Sequence, residues 1–405
     1  MRPLKSVRTM LGCATRIMGG GALVATIGLT SLQTQAQGEW LDPLQTPAIK
    51  TLKAPASLLL DVTLAGDRLI AVGERGHIII SDDDGTSWSQ SDVPVMSTLT
   101  SIFFIDELTG WAVGHDAVVL KTQDAGITWV KQLDGFEANS MVLEQAKRVK
   151  AKFEADLSKA NVLGNEDRIE LAEEQLENAS YALEDAEIDF EDKSTKPLLD
   201  VWFKNNQEGY VVGAYGMIFK STDGGSTWND WSGHVENPDR FHLNAITHAG
   251  GERMMIVGEA GLMLRTQNGG DDWEQMFSPY EGSFFGISSL TNQGVLLAYG
   301  LRGNVARSDN FGSSWKLMDT KTQQSLIGAT DRLGRVAYIV GNGGAFIKGI
   351  DLGRKWESTI RKGRSGAAAI VESKAGHFVI VGEWGVELLD KLGERMPITI
   401  TSIEG

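Results

Sequence analysis

The chain has 405 residues, 42% of them apolar, with 38 Lys and Arg against 53 Asp and Glu for a net charge of −15. That is enough apolar material for a sizeable core, while a single cysteine excludes a disulfide framework and a thiolate zinc centre, and the acidity argues against binding a phosphate backbone. The 47 glycines, well above the ordinary ~7% usage, and the 11 tryptophans call for a structural explanation.

Residues 1–36 carry Arg2, Lys5, Arg8 and Arg16 with no acid, then the apolar run Ile17 to Leu32 and the small-residue exit Thr34-Gln35-Ala36. This order predicts a secretory signal peptide cleaved after Ala36, and hence a periplasmic protein. The apolar run, loosened by Gly19, Gly20 and Gly21, falls short of the ~20 residues that a membrane anchor needs. Leu11-Gly12-Cys13 resembles the end of a lipobox, but the apolar stretch follows it instead of preceding it. Cleavage removes four positive charges and the cysteine, leaving 34 basic against 53 acidic residues, a net of −19.

From residue 37 onward a short segment recurs: GERG at Gly73, GHDA at Gly114, GAYG at Gly213, GEAG at Gly258, GLRG at Gly300, GNGG at Gly341 and GEWG at Gly382. The leading glycines are 41, 99, 45, 42, 41 and 41 residues apart, a period near 42 with one interval enlarged by 57. Each copy has an apolar strand ending at the glycine, a tight turn, a second apolar strand and a polar turn closed by tryptophan. The polar turns are SDDDGTSW (Ser81–Trp88), TQDAGITW (Thr122–Trp129), STDGGSTW (Ser221–Trp228), TQNGGDDW (Thr266–Trp273) and SDNFGSSW (Ser308–Trp315). GIDLGRKW, ending at Trp356, has lost the first hydroxyl residue, and LLDKLGERM has lost the tryptophan. Units of this length with a closing aromatic predict an all-β fold, a seven-bladed β-propeller of four-stranded blades. Blades 1 and 2 with an N-terminal segment would occupy residues 37–135, and blades 3 to 7 residues 197–405. Either Met396 to Thr401 or a strand from Leu41 to Leu52 would complete the last blade.

In the polar turn Asp83, Asp124, Asp223, Asn268 and Asn310 can accept hydrogen bonds from their own backbone, and Trp88, Trp129, Trp228, Trp273 and Trp315 supply core, so the motif reads as structural. The pattern S/T-x-D/N-x-G-x-x-W is that of the Asp-box, or BNR, repeat of sialidase-like β-propellers. The string VGERGHIIISDDDGTSW (Val72–Trp88) resembles the photosystem II assembly and stability factor family, whose propeller domain also occurs in non-photosynthetic bacteria. The resemblance covers roughly residues 57–134 and 197–400.

The enlarged interval, residues 136–196, predicts an antiparallel helical hairpin of coiled-coil type between blades 2 and 3. Val142, Ala146, Val149, Phe153, Leu157 and Ala160 form one seam, and Ile169, Ala172, Leu176, Ala179, Leu183, Ala186 and Phe190 the other, with a reversal at Asn161 to Asn165. Helices of about 23–26 residues would project roughly 35–40 Å, well clear of the propeller. Phe136 to Lys196 holds 16 acids and 8 bases. The exposed charges, Lys147 and Lys150 on the first helix and Glu173, Glu177, Glu184 and Glu187 on the second, read as a docking arm.

In a four-stranded antiparallel blade the glycine turns and the hairpin emerge on one face and the Asp-boxes on the other. The glycine turns place Glu74, Arg75, His115, Asp116, Tyr215, Glu259, Arg302, Asn342, Glu383 and Trp384 around the expected channel mouth, as candidate binding residues. The family resemblance implies an arginine-bearing patch there, to which Arg75 and Arg302 would belong. No catalytic or metal constellation stands out: sialidase chemistry needs an arginine cluster that is not recognisable, and the six histidines (77, 115, 234, 242, 248, 377) lack metal-ligand spacing. The glycines precede strands, where a phosphate loop needs a helix. The reading is a non-catalytic, cofactor-free accessory or assembly factor for an envelope membrane-protein complex, with an RND-type transporter as a client by family-level association alone. A carbohydrate-active propeller, hydrolase or glycan binder, is the alternative.

Overall fold

The computed structural model describes residues 41–400 except 292, 293, 333 and 392. The predicted signal peptide, its expected cleavage site and Cys13 lie outside the described residues.

Seven four-stranded antiparallel sheets follow one another along the chain, the arrangement of a seven-bladed propeller. Blade 1 comprises Leu59–Ala65, Arg68–Gly73, Ile78–Ser81 and Ser87–Gln90. The inner strands of blades 2 to 7 are Leu99–Phe104, Leu198–Phe203, Leu243–Gly250, Phe284–Thr291, Leu326–Arg332 and Ala367–Glu372. Each inner strand lies against the next, and Leu59–Ala65 lies against Ala367–Glu372, so the ring closes. The second strand of each blade is buried almost throughout, because neighbouring blades cover both of its faces, which is why it reads as an unbroken apolar run such as Leu69 to Val72.

The Asp-box is a self-contained hydrogen-bond unit. Asp83 accepts from the Ser81 hydroxyl (2.9 Å), the Ser87 amide (2.8 Å) and the Ser87 hydroxyl (2.6 Å), while Ser81 Oγ accepts from Gly85 N and the Trp88 indole donates to Gly85 O. Asp124 and Asp223 repeat the carboxylate pattern, and Asn268 and Asn310 keep the equivalent amide acceptor. The box glycine also faces the preceding blade: a Cβ on Gly126 would meet Ile70, and one on Gly270 would meet Tyr210. The box thus shapes its own turn and seats the blade boundary. At Trp273 the partner is lost, because Trp231 donates to Gly270 O at 2.7 Å and the Trp273 indole N–H is left buried without an acceptor.

Neither predicted closure describes the chain ends fully. Arg395–Met396 completes blade 7, after which Thr399–Ile400 runs parallel to the outer strand of blade 1, with Thr399 opposite Ser87 and Ile400 opposite Trp88. Parallel bridges Asp92–Thr128 and Val235–Trp273 occur where the chain passes between blades elsewhere. The C-terminal segment therefore copies an ordinary inter-blade connection.

The insertion is two helices, α1 (Gly135–Leu163) and α2 (Glu166–Asp192), each longer than the sequence pattern predicts. Asp134 caps α1 by accepting from Phe136 N and Glu137 N, Gly164 ends it in the left-handed region (φ 66°), and Asn165 caps α2 through Arg168 N. Asn139 near the start of α1 donates to Asp189 O and Ser194 O at the end of α2, so the helices are antiparallel. Ala160, Ala172, Ala179 and Ala186 are buried along the seam. Phe190, assigned to the seam by spacing, is 47% exposed, because the half-buried Asp189 beside it turns inward to pair with Lys196.

Candidate functional face

The seven glycine turns share one construction. In each, the amide of the residue after the leading glycine donates to the carbonyl that precedes the blade's inner strand, at 2.8–3.2 Å; Glu74 N to Leu58 O and His115 N to Thr98 O are two of the seven. The leading glycine has no room for a side chain, since a Cβ there would lie 1.9–2.5 Å from that same carbonyl oxygen. Close backbone approach is what demands glycine at this position. The next-but-one residue is left-handed in six turns, including Arg75, Asp116, Tyr215 and Arg302 at φ 55–58°.

Several of the predicted rim residues are tied into this scaffold. Glu74, Glu259 and Glu383 each accept from the amide just before their blade's inner strand, from Leu58, His242 and Gly366. Glu259 also pairs with His242 Nδ1 at 2.9 Å. Asp116 accepts from the hydroxyls of Ser97 (2.7 Å) and Thr195 (2.8 Å). All four rim carboxylates are thus engaged by neighbouring groups. Arg75, His115, Arg302, Asn342 and Trp384 remain exposed, Trp384 at 77%. Tyr215 turns toward the hairpin, with Lys196 Nζ 5.0 Å above its ring and His242 against its edge.

The hairpin leaves and returns beside the second glycine turn, where Ala117 N donates to Lys196 O. It does not stand clear of the propeller: Asp185 on α2 pairs with Arg240 at 3.0 Å, and Gln145 on α1 packs against Gly233, both in the segment between blades 3 and 4. The distal end is free, with Val162 88% exposed. Between the helices and residues 230–240 lies a cleft of about 680 Å³, whose walls include Gln145, Arg148, Lys152, Gln175, Asn178 and Tyr215 over apolar Val142, Val149 and Ala179. Burial, with the nearby Arg240 charge, lowers the pKa of Lys196 at its edge, and burial raises that of Asp230. Lys147, Lys150, Glu173, Glu177, Glu184 and Glu187 lie away from the cleft on the outer faces, where Lys147 pairs with Glu144 and Tyr181 donates to Glu177. Arg148 and Lys152 of α1 line the cleft beside Lys196 and Arg240, which are paired with Asp189 and Asp185, and heptad spacing alone did not single them out.

Sequence reading also passed over the inner strands. Asp61 and Asp200 sit at corresponding positions of blades 1 and 3, each preceded by a one-residue bulge, with Ser101 of blade 2 between them. An acid inside an otherwise apolar strand was the available signal.

The sequence profile described as photosynthesis system II assembly factor YCF48 matches residues 178–330. The photosystem II assembly lipoprotein Ycf48 of Synechococcus sp. (strain CC9902) is 32% identical over 120 residues, covering 29% of this chain and 35% of that protein. The chloroplastic photosystem II stability/assembly factor HCF136 of Arabidopsis thaliana is 25% identical over 139 residues, covering 33% of this chain and 34% of that one. The chain therefore spans about a third of the length of these curated relatives. The structure of YCF48 bound to D1 peptide superposes with a TM-score of 0.57 at 16% identity, over 87% of this chain and 96% of that one. That of YCF48 from Cyanidioschyzon merolae gives 0.57 at 15%, over 82% and 95%. At such identities the structural likeness concerns the fold. The matched segment, the repeated turns and the shared architecture together make this chain an Asp-box β-propeller that resembles the photosystem II assembly factors.

Proposed function

We propose that the protein is a non-catalytic assembly or accessory factor for an envelope membrane-protein complex, working in the periplasm and docking through its glycine-turn face and helical arm. The observation that carries this reading is the cleft between arm and blade 3, whose amide and charged side chains over an apolar floor suit a segment of polypeptide. Relatives named as assembly factors, with a YCF48 structure bound to D1 peptide among the similar folds, support the same class of role. Among the described residues no helix is long and apolar enough to cross a membrane. The glycan-hydrolase alternative asks for two free carboxylates flanking a bond, and the four rim carboxylates are held by backbone and hydroxyl groups.

The test is replacement of Glu137–Lys193 by a short linker, followed by crosslinking and copurification from intact cells. Loss of a membrane partner with the propeller still folded supports arm docking; undiminished copurification refutes it. Arg148→Glu with Lys152→Glu should weaken the same partner without deleting the arm. An RND-type transporter is one client to look for in the crosslinked fraction.

A further inference from the structure

Three residues of the inner wall are unused by the docking reading. Asp61, Ser101 and Asp200 occupy the position just after the bulge on the inner strands of blades 1, 2 and 3. Ala245, Gly286, Gly328 and Ala369 hold that position in blades 4 to 7, so the polar chain lines one side of the ring only. Each carboxylate crosses a blade boundary. Asp61 Oδ2 accepts from Ile102 N of blade 2 at 2.9 Å, and Asp200 Oδ2 accepts from Ile246 N of blade 4 at 2.8 Å. Their other oxygens accept from the next residue of their own strands, Val62 N and Val201 N, both at 2.8 Å. The buried Ser101 hydroxyl stands between the pair, 3.1 Å from Asp61 Oδ2 and 2.8 Å from Asp200 Oδ1.

A serine hydroxyl carries one hydrogen. It can be donated to one of the two carboxylates; the other contact is a hydrogen bond only if that carboxyl is itself protonated and donates to the serine oxygen. With both acids ionised, one of the two short O···O contacts holds no hydrogen, between two carboxylates that are only partly exposed. We propose that Asp61, Ser101 and Asp200 share one proton at neutral pH, and that this proton holds the boundaries between blades 1, 2 and 3 as a pH-sensitive lock.

The surroundings agree with a proton that stays. Burial, with the neighbouring Asp200 charge adding to it, outweighs the Ile102 and Val62 amides and pushes Asp61 up to about 7. Burial pushes Asp200 up to about 6 against the amides of Ile246 and Val201 and the Ser101 hydroxyl. The order places the proton on Asp61, with Ser101 passing its own hydrogen to Asp200. Tyr299 of blade 5 also feels the pair; burial raises its pKa, so it stays neutral. Among the described residues no lysine or arginine is ion-paired with either acid. The hairpin is inserted between the two blades that Ser101 and Asp200 join, so the lock sits at the root of the arm.

The experiment is infrared difference spectroscopy of the carboxyl carbonyl band on the full chain, comparing wild type with Asp61→Asn and Ser101→Ala at about pH 6 and above about pH 8, on either side of the Asp61 value. Expected is a protonated-acid band at the lower pH that disappears at the higher one, is reduced in Asp61→Asn to the share that Asp200 carries, and moves in frequency in Ser101→Ala because the acid O–H loses its acceptor. Asp230, present in all three proteins, cancels when a variant is subtracted from wild type at one pH. A wild-type minus Asp61→Asn spectrum without that band overturns the proposal. If Asp61→Asn does not fold, the serine variant decides alone: an unmoved band overturns it.

Discussion

The Thr195 hydroxyl donates to the Asp116 carboxylate at 2.8 Å across 79 positions of sequence, joining the end of the helical hairpin to the glycine turn beside which the hairpin began. Ser97 holds the other carboxylate oxygen, and Asp116 itself sits at φ 58°, a conformation that Asp and Asn tolerate better than most residues.

Asp116→Ala leaves two hydroxyls without their acceptor and places alanine in the left-handed region. A loss of about 1–3 kcal/mol is expected by chemical denaturation, with faster amide exchange at residues 194–196. Asp116→Asn retains an acceptor and should recover most of the difference; equal losses in both variants would contradict the anchoring role.

Gly114→Ala tests the close approach common to the seven turns. Its Cβ would lie 2.1 Å from Thr98 O, which the inner strand cannot yield without moving. Destabilisation of about 3 kcal/mol is expected from such overpacking. Gly164→Ala, at the free end of the hairpin with nothing within 4 Å, should cost only the strain of its left-handed φ, about 1 kcal/mol. Thermal melts of the two variants should separate accordingly.

The closed ring is clasped by a short C-terminal contact in which Thr399 N donates to Thr86 O at 2.7 Å. Thr399→Pro removes that donor, for about 1 kcal/mol and a Tm lower by roughly 2 °C. Ending the chain at Met396 also uncovers blade 1 and blade 7 side chains packed by Ile398, and should cost about 2–3 kcal/mol more. Calorimetry distinguishes these; a truncated chain with unchanged Tm would show that the contact does not stabilise the closed ring.

The pH dependence has two opposed parts. In the Asp-box, the Thr227 hydroxyl and amide hold Asp223 below its ordinary value, so its contribution is present above about pH 4 and is lost as pH falls through the folded pKa. Asp61 runs the other way: folded near 7 against 3.8 when unfolded, it binds a proton that the unfolded chain has released, so its contribution falls as pH rises through that window. The stability difference between wild type and Asp61→Asn should therefore decline from about pH 4 to 7, by up to about 1.4 kcal/mol per pH unit. Denaturant titrations at several pH values read this slope, and a flat difference would contradict it.

Much of the blade architecture could be read along the chain because its determinants are local. Glycine spacing reports a backbone-to-carbonyl approach repeated at each turn, and the Asp-box satisfies its own hydrogen bonds within eight residues, so both leave a periodic trace. The hairpin was readable for the same reason, since a helical seam repeats every three or four residues.

What the tertiary structure decided is where independent segments meet. Glu74, Glu259 and Glu383 look alike in sequence to free rim carboxylates, and only the incoming strand shows that they hold its amide. The lean of the arm depends on Arg240 reaching Asp185, 55 residues away, and the parallel C-terminal pairing depends on the ring bringing Thr399 to Ser87. Asp61 and Asp200 are 139 positions apart and become one titrating unit because consecutive inner strands place Ser101 between them. A one-dimensional pattern records the period of a turn or a helix; it does not record which charges the ring brings side by side.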